Sequence, residues 1–232
     1  MEKMARYSVN RVKEKTTAGQ ALWLVAILMI IWLSGCRVEN HEPYGYDPLF
    51  SGQIISNRFA DGDISFSPPD TYYVSSARTT GSVLVGIDPF YQDDEFRGFL
   101  NFDLRGVHGV PWYALIESAR VEIFINGVIG SLPGAGVPLI IDLVAYDPPD
   151  LIAGDFHSSN LPPQMRLPVD IYPYDTGAIV AIDVTRFLEE AQSLGLPHLQ
   201  LRFLLDDFAE YGLVEIDDAA VSTAPLLTVF YY

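Results

Sequence analysis

The chain has 232 residues, a single cysteine, and 30 acidic against 14 basic side chains, for a formal net charge of −16. That balance excludes nucleic acid as a partner, because such binding rests on cationic neutralisation of phosphates. It also disfavours anionic lipid headgroups and polyanionic glycans as electrostatic partners. One cysteine excludes an intramolecular disulfide.

The first segment is basic. Lys3, Arg6, Arg11, Lys13 and Lys15 stand against Glu2 and Glu14. Residues 21–33, ALWLVAILMIIWL, carry no charge and are followed by Leu33-Ser34-Gly35-Cys36. A basic head, a short apolar run and small residues make a secretory signal over residues 1–35, its apolar part expected as a helix. The run is short for a bilayer span of roughly 20 residues. Leu-Ser-Gly-Cys resembles the lipobox of bacterial lipoproteins. The resemblance implies cleavage before Cys36, acyl chains on its thiol, and a membrane anchor worth roughly 0.8 kcal/mol per buried methylene. Arg37 in place of Asp implies the outer membrane in an organism that has one. Residues 1–35 carry five basic and two acidic side chains and all three Lys residues. Their removal takes the charge to −19 and leaves Arg as the only strong base.

Residues 36–50 read as the lipidated Cys and a polar, aperiodic tether. Residues 51–232 read as one all-β domain, with short apolar-alternating runs punctuated by Gly, Pro and Asp. Strands are expected at 53–57, 72–76, 82–87, 97–104, 117–126, 138–146, 177–184, 198–205, 212–217 and 225–231. In 97–104, Leu100, Phe102 and Leu104 point one way and Arg97, Phe99, Asn101 and Asp103 the other. Val121, Ile123 and Ile125 share a face, as do Leu199, Leu201, Phe203 and Leu205. A period of two marks strands with one face buried.

One segment breaks that period. From Thr185 to Leu194, Phe187, Leu188, Ala191 and Leu194 fall on a helical stripe. Asp183 or Thr185 can cap its start, and Gly195 with Pro197 can stop it. Residues 147–176 are rich in Pro and Asp without clear periodicity, and read as a long loop.

The order of elements is similar to the DNRLRE-type jelly-roll domains of bacterial and archaeal surface proteins, over residues 64–232. The similarity is carried by Asp70-Thr-Tyr-Tyr-Val, Gly81-Ser-Val-Leu-Val-Gly86, and Phe96-Arg97 leading to Phe102-Asp103. It continues through Ile116-Glu-Ser-Ala119-Arg-Val, Val180-Ala-Ile-Asp183-Val-Thr185 and Pro225-Leu-Leu-Thr-Val. The resemblance implies a jelly-roll β-sandwich with one short helix, and a role in carbohydrate binding at the cell surface. The mature acidic surface points to a neutral rather than an anionic glycan.

Candidate chemistry is sparse. Glu215-Ile-Asp217 resembles the strand of laminarinase-type hydrolases, but the second Glu is missing, since position 220 is Ala. Retaining hydrolysis needs two carboxyls roughly 5 Å apart, so no enzyme is expected. His41, His108, His157 and His198 lack paired ligand spacing for a transition metal. Asp183 suits capping, and Arg97 suits an ion pair on a strand or a clamp on a ligand carboxylate. A structural calcium has oxygen donors in acidic clusters at Asp61/Asp63, Asp93/Asp94/Glu95, Asp206/Asp207 and Glu215/Asp217/Asp218. Tyr91, Trp112 and Tyr113 sit beside Pro or Gly in expected loops and suit stacking on a sugar. Two functions stay open: a lipid-anchored binding module for glycan or another surface ligand, and an assembly protein docking onto envelope partners.

Overall fold

The computed structural model describes residues 49–88, 90, 94–106, 108–130, 132, 134–146 and 151–232. Alternating segments become strands wherever expected. These are β1 (Phe50–Ile55), β3 (Thr71–Ser76), β4 (Ser82–Ile87), β5 (Glu95–Asp103), β6 (Ile116–Gly130) and β7 (Val137–Val144), followed by β9 (Ile179–Asp183), β10 (His198–Leu205), β11 (Gly212–Asp217) and β12 (Leu226–Tyr231). Two more appear where none was expected, β2 (Gly62–Ser67) and β8 (Met165–Ile171). β8 lies inside the segment read as a long loop. Its residues do alternate, but Pro168 interrupts the run, which an edge strand tolerates.

Every pairing is antiparallel. One layer runs β1–β12–β6 with β9 on β6. The other runs β3–β2–β5–β10–β7–β8. β6 is 15 residues long and links the layers, its first half pairing with β12 and β9 and its second half with β11. β11 pairs in turn with β4, and β4 touches β5. The result is a curled antiparallel sheet folded on itself, an all-β, jelly-roll-like sandwich. Asp47–Tyr232 forms one compact unit. Among the described residues no helix is long and apolar enough to cross a membrane.

The period of two fixes the core. Leu100, Phe102, Leu199, Leu201, Phe203, Ile141 and Leu143 face inward from one layer, and Val121, Ile123, Ile182, Leu227 and Val229 from the other. Each such side chain contributes about 1.5–3 kcal/mol on burial. The expected helix is α2 (Thr185–Ser193), preceded in the chain by a single turn, α1 (Ala77–Thr80). Phe187, Leu188 and Ala191 are buried against one end of the sandwich, whereas Leu194 is 47% exposed. Asp183 accepts hydrogen bonds from the Thr185 amide at 2.9 Å and its hydroxyl at 2.6 Å. The helix stops at Gly195, φ +67°, whose amide donates to Gln192, while the Leu196 amide donates to Ala191. This is the paired-bond ending that a left-handed glycine permits.

The outward face of β5, β10 and β7 is not solvated. Residues 151–161 lie over it and enclose a second, smaller core of Ile64, Phe99, Val144, Tyr146, Phe156 and Leu161. Arg202, fully buried, donates to Asp142 at 2.6 Å, to the carbonyls of Leu161 (3.0 Å) and Asp155 (3.3 Å), and to the Ser158 hydroxyl (3.2 Å). Arg166, from β8, pairs with the other Asp142 oxygen at 2.9 Å. This cluster pins the covering segment to the sheet. Residues 147–176 are therefore, among their described part, a cover and a strand rather than a free loop.

Candidate functional site

Trp112 and Tyr113 occupy the two corners of a β-turn, closed by the Ala114 amide donating to Pro111 at 3.0 Å. Val110 and Ala114, on either side, are buried and anchor the turn to the core. The corner side chains consequently point away from it. Trp112 is 84% and Tyr113 74% exposed. Their rings meet edge to face at 5.6 Å. Both rings stand in water at the corners of a fixed turn, so they do not plug the end of the sandwich.

Helix α2 fixes the turn. The Gln192 side-chain amide donates to Pro111 at 3.2 Å and reaches Ala114 at 3.5 Å. Arg105 donates to the Gly195 carbonyl at 3.1 Å, tying the preceding loop to the helix end. Between turn and helix lies a depression of about 470 Å³, lined by Leu104, Arg105, Trp112, Leu188, Gln192 and Leu196. It offers an apolar floor, one exposed indole, one guanidinium and one amide oxygen. No sequence pattern signals Arg105 or Gln192, because their roles depend on a helix and a loop meeting across 81 and 90 residues of chain.

The site lies at the pole where β1 begins. Leu115 and Tyr232 exchange two backbone hydrogen bonds, and Phe50 stacks on Tyr231 at 5.8 Å.

The other expected site residues fall elsewhere. Cys36, Tyr91 and Asp93 lie outside the described residues. Arg97 is engaged on the covered face: it pairs with Glu95 at 2.8 Å, sits 4.0 Å over the Phe156 ring and donates to the Phe156 carbonyl. Its partners are those of a structural strap. Glu95 is thereby taken up, while Asp94 accepts the Asp88 amide through its carbonyl. Asp217 accepts the Ala219 amide at 2.8 Å. Asp218 is wholly buried, with Arg58 at 3.8 Å. The Asp94–Glu95 and Asp217–Asp218 pairs stand at opposite ends of β4, since Glu95 pairs with Ile87 and Asp217 with Ser82. Five residues of strand separate them by roughly 17 Å, so no single ion joins them. Among the described residues, no group of three or more His, Cys, Asp or Glu is placed to hold a metal ion.

Neither a protein-family model nor a curated protein matches this sequence. The functional reading therefore rests on geometry.

A larger depression, about 670 Å³, lies along the layer of β1, β12, β6 and β9 and includes Gln53, Ile55, Glu122, Phe124, Ile179 and Leu226. Ile55 is 48% and Ile179 61% exposed. It has no exposed indole among its lining residues, and the Glu122 carboxylate on its rim is paired with Arg120 at 3.2 Å. Its size alone does not outweigh the fixed aromatic corner.

Proposed function

We propose that the protein is a non-catalytic binding module, held on the cell envelope by lipid on Cys36, with the Trp112–Tyr113 turn as its ligand face. The observation that carries the reading is the pair of exposed rings on a turn fixed by Gln192. Faces of this kind recognise flat, weakly polar surfaces such as the C–H face of a sugar ring, with Arg105 and the Gln192 amide oxygen available for hydroxyls. The charge of the mature chain favours a neutral glycan over a polyanion. The resemblance to DNRLRE-type surface domains points the same way, as does the absence from the sequence of a second Glu partnering Glu215. In a two-membrane organism Arg37 assigns the anchor to the outer membrane.

A fragment covering residues 37–232 keeps the compact unit whole and retains Trp112 as its only Trp, since the other two are at 23 and 32. Titration of that fragment with neutral oligosaccharides, read by indole emission, is expected to give a saturable blue shift. Trp112→Ala is expected to lose binding at least tenfold. A glycan panel without a single hit sinks the carbohydrate reading.

The exposed Ile55 and Ile179 favour one second reading, an assembly protein that docks an envelope partner on the layer of β1 and β9. Ile179→Asp would then abolish co-purification of that partner while leaving the Trp112 face intact.

A further inference from the structure

Around α1 the fold buries more negative charge than it neutralises. Asp61 and Asp218 attach to opposite ends of that single helical turn. The Ala77 amide donates to the Asp61 carbonyl at 3.0 Å, and the Asp218 amide donates to the Gly81 carbonyl at 2.9 Å. Both side chains point inward, with residue exposures of 1% and 0%. Asp61 spends one carboxylate oxygen on the Asn101 amide at 2.6 Å. Its second oxygen, and both oxygens of Asp218, have no hydrogen-bond partner among the described residues. Ser56, 6% exposed, faces the Asp61 carboxyl, yet its hydroxyl forms no well-angled bond to it or to any other described residue.

The charged groups that face this cluster are few. Arg58 approaches Asp218 at 3.8 Å, but its side chain is 37% exposed. Asp217 adds a further negative charge beside Asp218. One half-solvated guanidinium does not balance two buried carboxylates, and a buried unpaired carboxylate is expensive. Asp61 also borders a depression of about 440 Å³ with Phe59, Ser75, Ser76, Arg78 and Thr79, which gives a path from solvent.

We infer that Asp61, Asp218 and Ser56 form an internal site for a hard divalent cation, with calcium as the ion that fits best. All the donors are oxygens, and no nitrogen or sulfur ligand is present to favour zinc or copper. Two carboxylates and a hydroxyl supply part of a six- to eight-oxygen shell; main-chain carbonyls and water complete it. The ion crosslinks the segment after β1 to the segment before β12. So few charged ligands give a weak site, in the range of about 0.1–1 mM typical of extracellular modules. This inference is independent of the Trp112 face, and either one can fail without the other.

The test is the thermal midpoint of the 37–232 fragment in chelator and in about 10 mM CaCl2 or MgCl2. Calcium is expected to raise the midpoint by about 3–11 °C, as mass action on a site of that affinity requires. Magnesium, which demands tighter octahedral geometry, is expected to raise it less. Asp218→Asn is expected to raise the midpoint in chelator, by removing a buried charge, and to erase the calcium increment. Ser56→Ala, a milder change, is expected to shrink that increment and serves if Asp218→Asn does not fold. Asp207→Asn, on an exposed acidic turn, is expected to keep it. No calcium increment in the parent, or a full increment in both Asp218→Asn and Ser56→Ala, overturns the inference.

Discussion

Asp142→Ala is the most demanding test of how the covering segment is held. Asp142 and Arg202 are both fully buried and 2.6 Å apart. Truncating Asp142 leaves the Arg202 guanidinium without a counter-charge, although its bonds to Leu161, Asp155 and Ser158 survive. Burial already pulls the Arg202 pKa down, and Asp142 is what opposes that pull. Stranding a buried charge costs about 3–5 kcal/mol. Arg166 is 48% exposed in its side chain and turns to water, so its share is at most about 1 kcal/mol. In a domain of this size each kcal/mol moves the midpoint by about 2–4 °C, so a fall of roughly 6–20 °C is expected. The double variant Asp142→Leu/Arg202→Met removes both charges and orphans the Leu161 and Asp155 carbonyls, each about 1–3 kcal/mol, and the half-buried Ser158 hydroxyl. Its cost, about 2–6 kcal/mol for the carbonyls, should be less than those of the Asp142→Leu and Arg202→Met single variants added together. Urea titration followed by far-UV circular dichroism measures both, and limited proteolysis within 151–161 should accelerate in the single variant. A single-variant cost under about 1 kcal/mol, or a double variant worse than the sum of its parts, refutes the reasoning.

Other outcomes follow from named contacts. Trp112→Ala should leave the thermal midpoint within about 1 °C while weakening ligand, because the indole is 84% exposed and its removal opens no cavity. Gly86→Ala should cost about 2–5 kcal/mol in a urea titration, since φ is +115° and a Cβ would stand 1.9 Å from the Gly212 carbonyl oxygen. Gly177→Ala, φ +80° with open space around it, should cost only about 1–2 kcal/mol, separating backbone strain from collision. In chelator, stability should fall as pH rises. Burial raises Asp61 to about 8, and Asp63 and Asp218 to about 6, from 3.8. The folded state then binds more protons than the unfolded one. That stability is fully present below about pH 4 and is lost as pH rises through 6 to 8. Asp61→Asn should flatten the upper part of the melting-temperature profile between pH 6 and 8.

The strands legible in the sequence are those whose inward face alternates without interruption. Leu199, Leu201, Phe203 and Leu205 could belong only to a strand, and they pair with β5 and β7 accordingly. β2 was illegible because its buried set is Asp63, Ile64 and Ser65, which no hydrophobic periodicity detects. β8 alternates Met165, Leu167, Val169 and Ile171, yet Pro168 and the surrounding Pro-rich chain hid the run. The other face of β10 was misleading in the opposite sense. Gln200 and Arg202 look like solvent-facing residues, and both are buried beneath the covering segment. A polar residue at an outward position carries no sign of whether another part of the chain lies over it. Trp112 and Tyr113 were legible as candidates from their place beside Pro111. Their exposure, and the Gln192 clamp, were not, because both depend on tertiary contacts. Asp61 and Asp218 were legible as oxygen donors in two separate acidic clusters, but the place of Ser56 beside Asp61 was not, because it depends on tertiary contacts.

The Leu115–Tyr232 bonds and the Phe50–Tyr231 stack bring the aromatic turn and the start of β1 to a common pole. A large ligand seated on Trp112 would therefore overhang the first residues of that strand, and a change at Phe50 would be felt by whatever the turn holds.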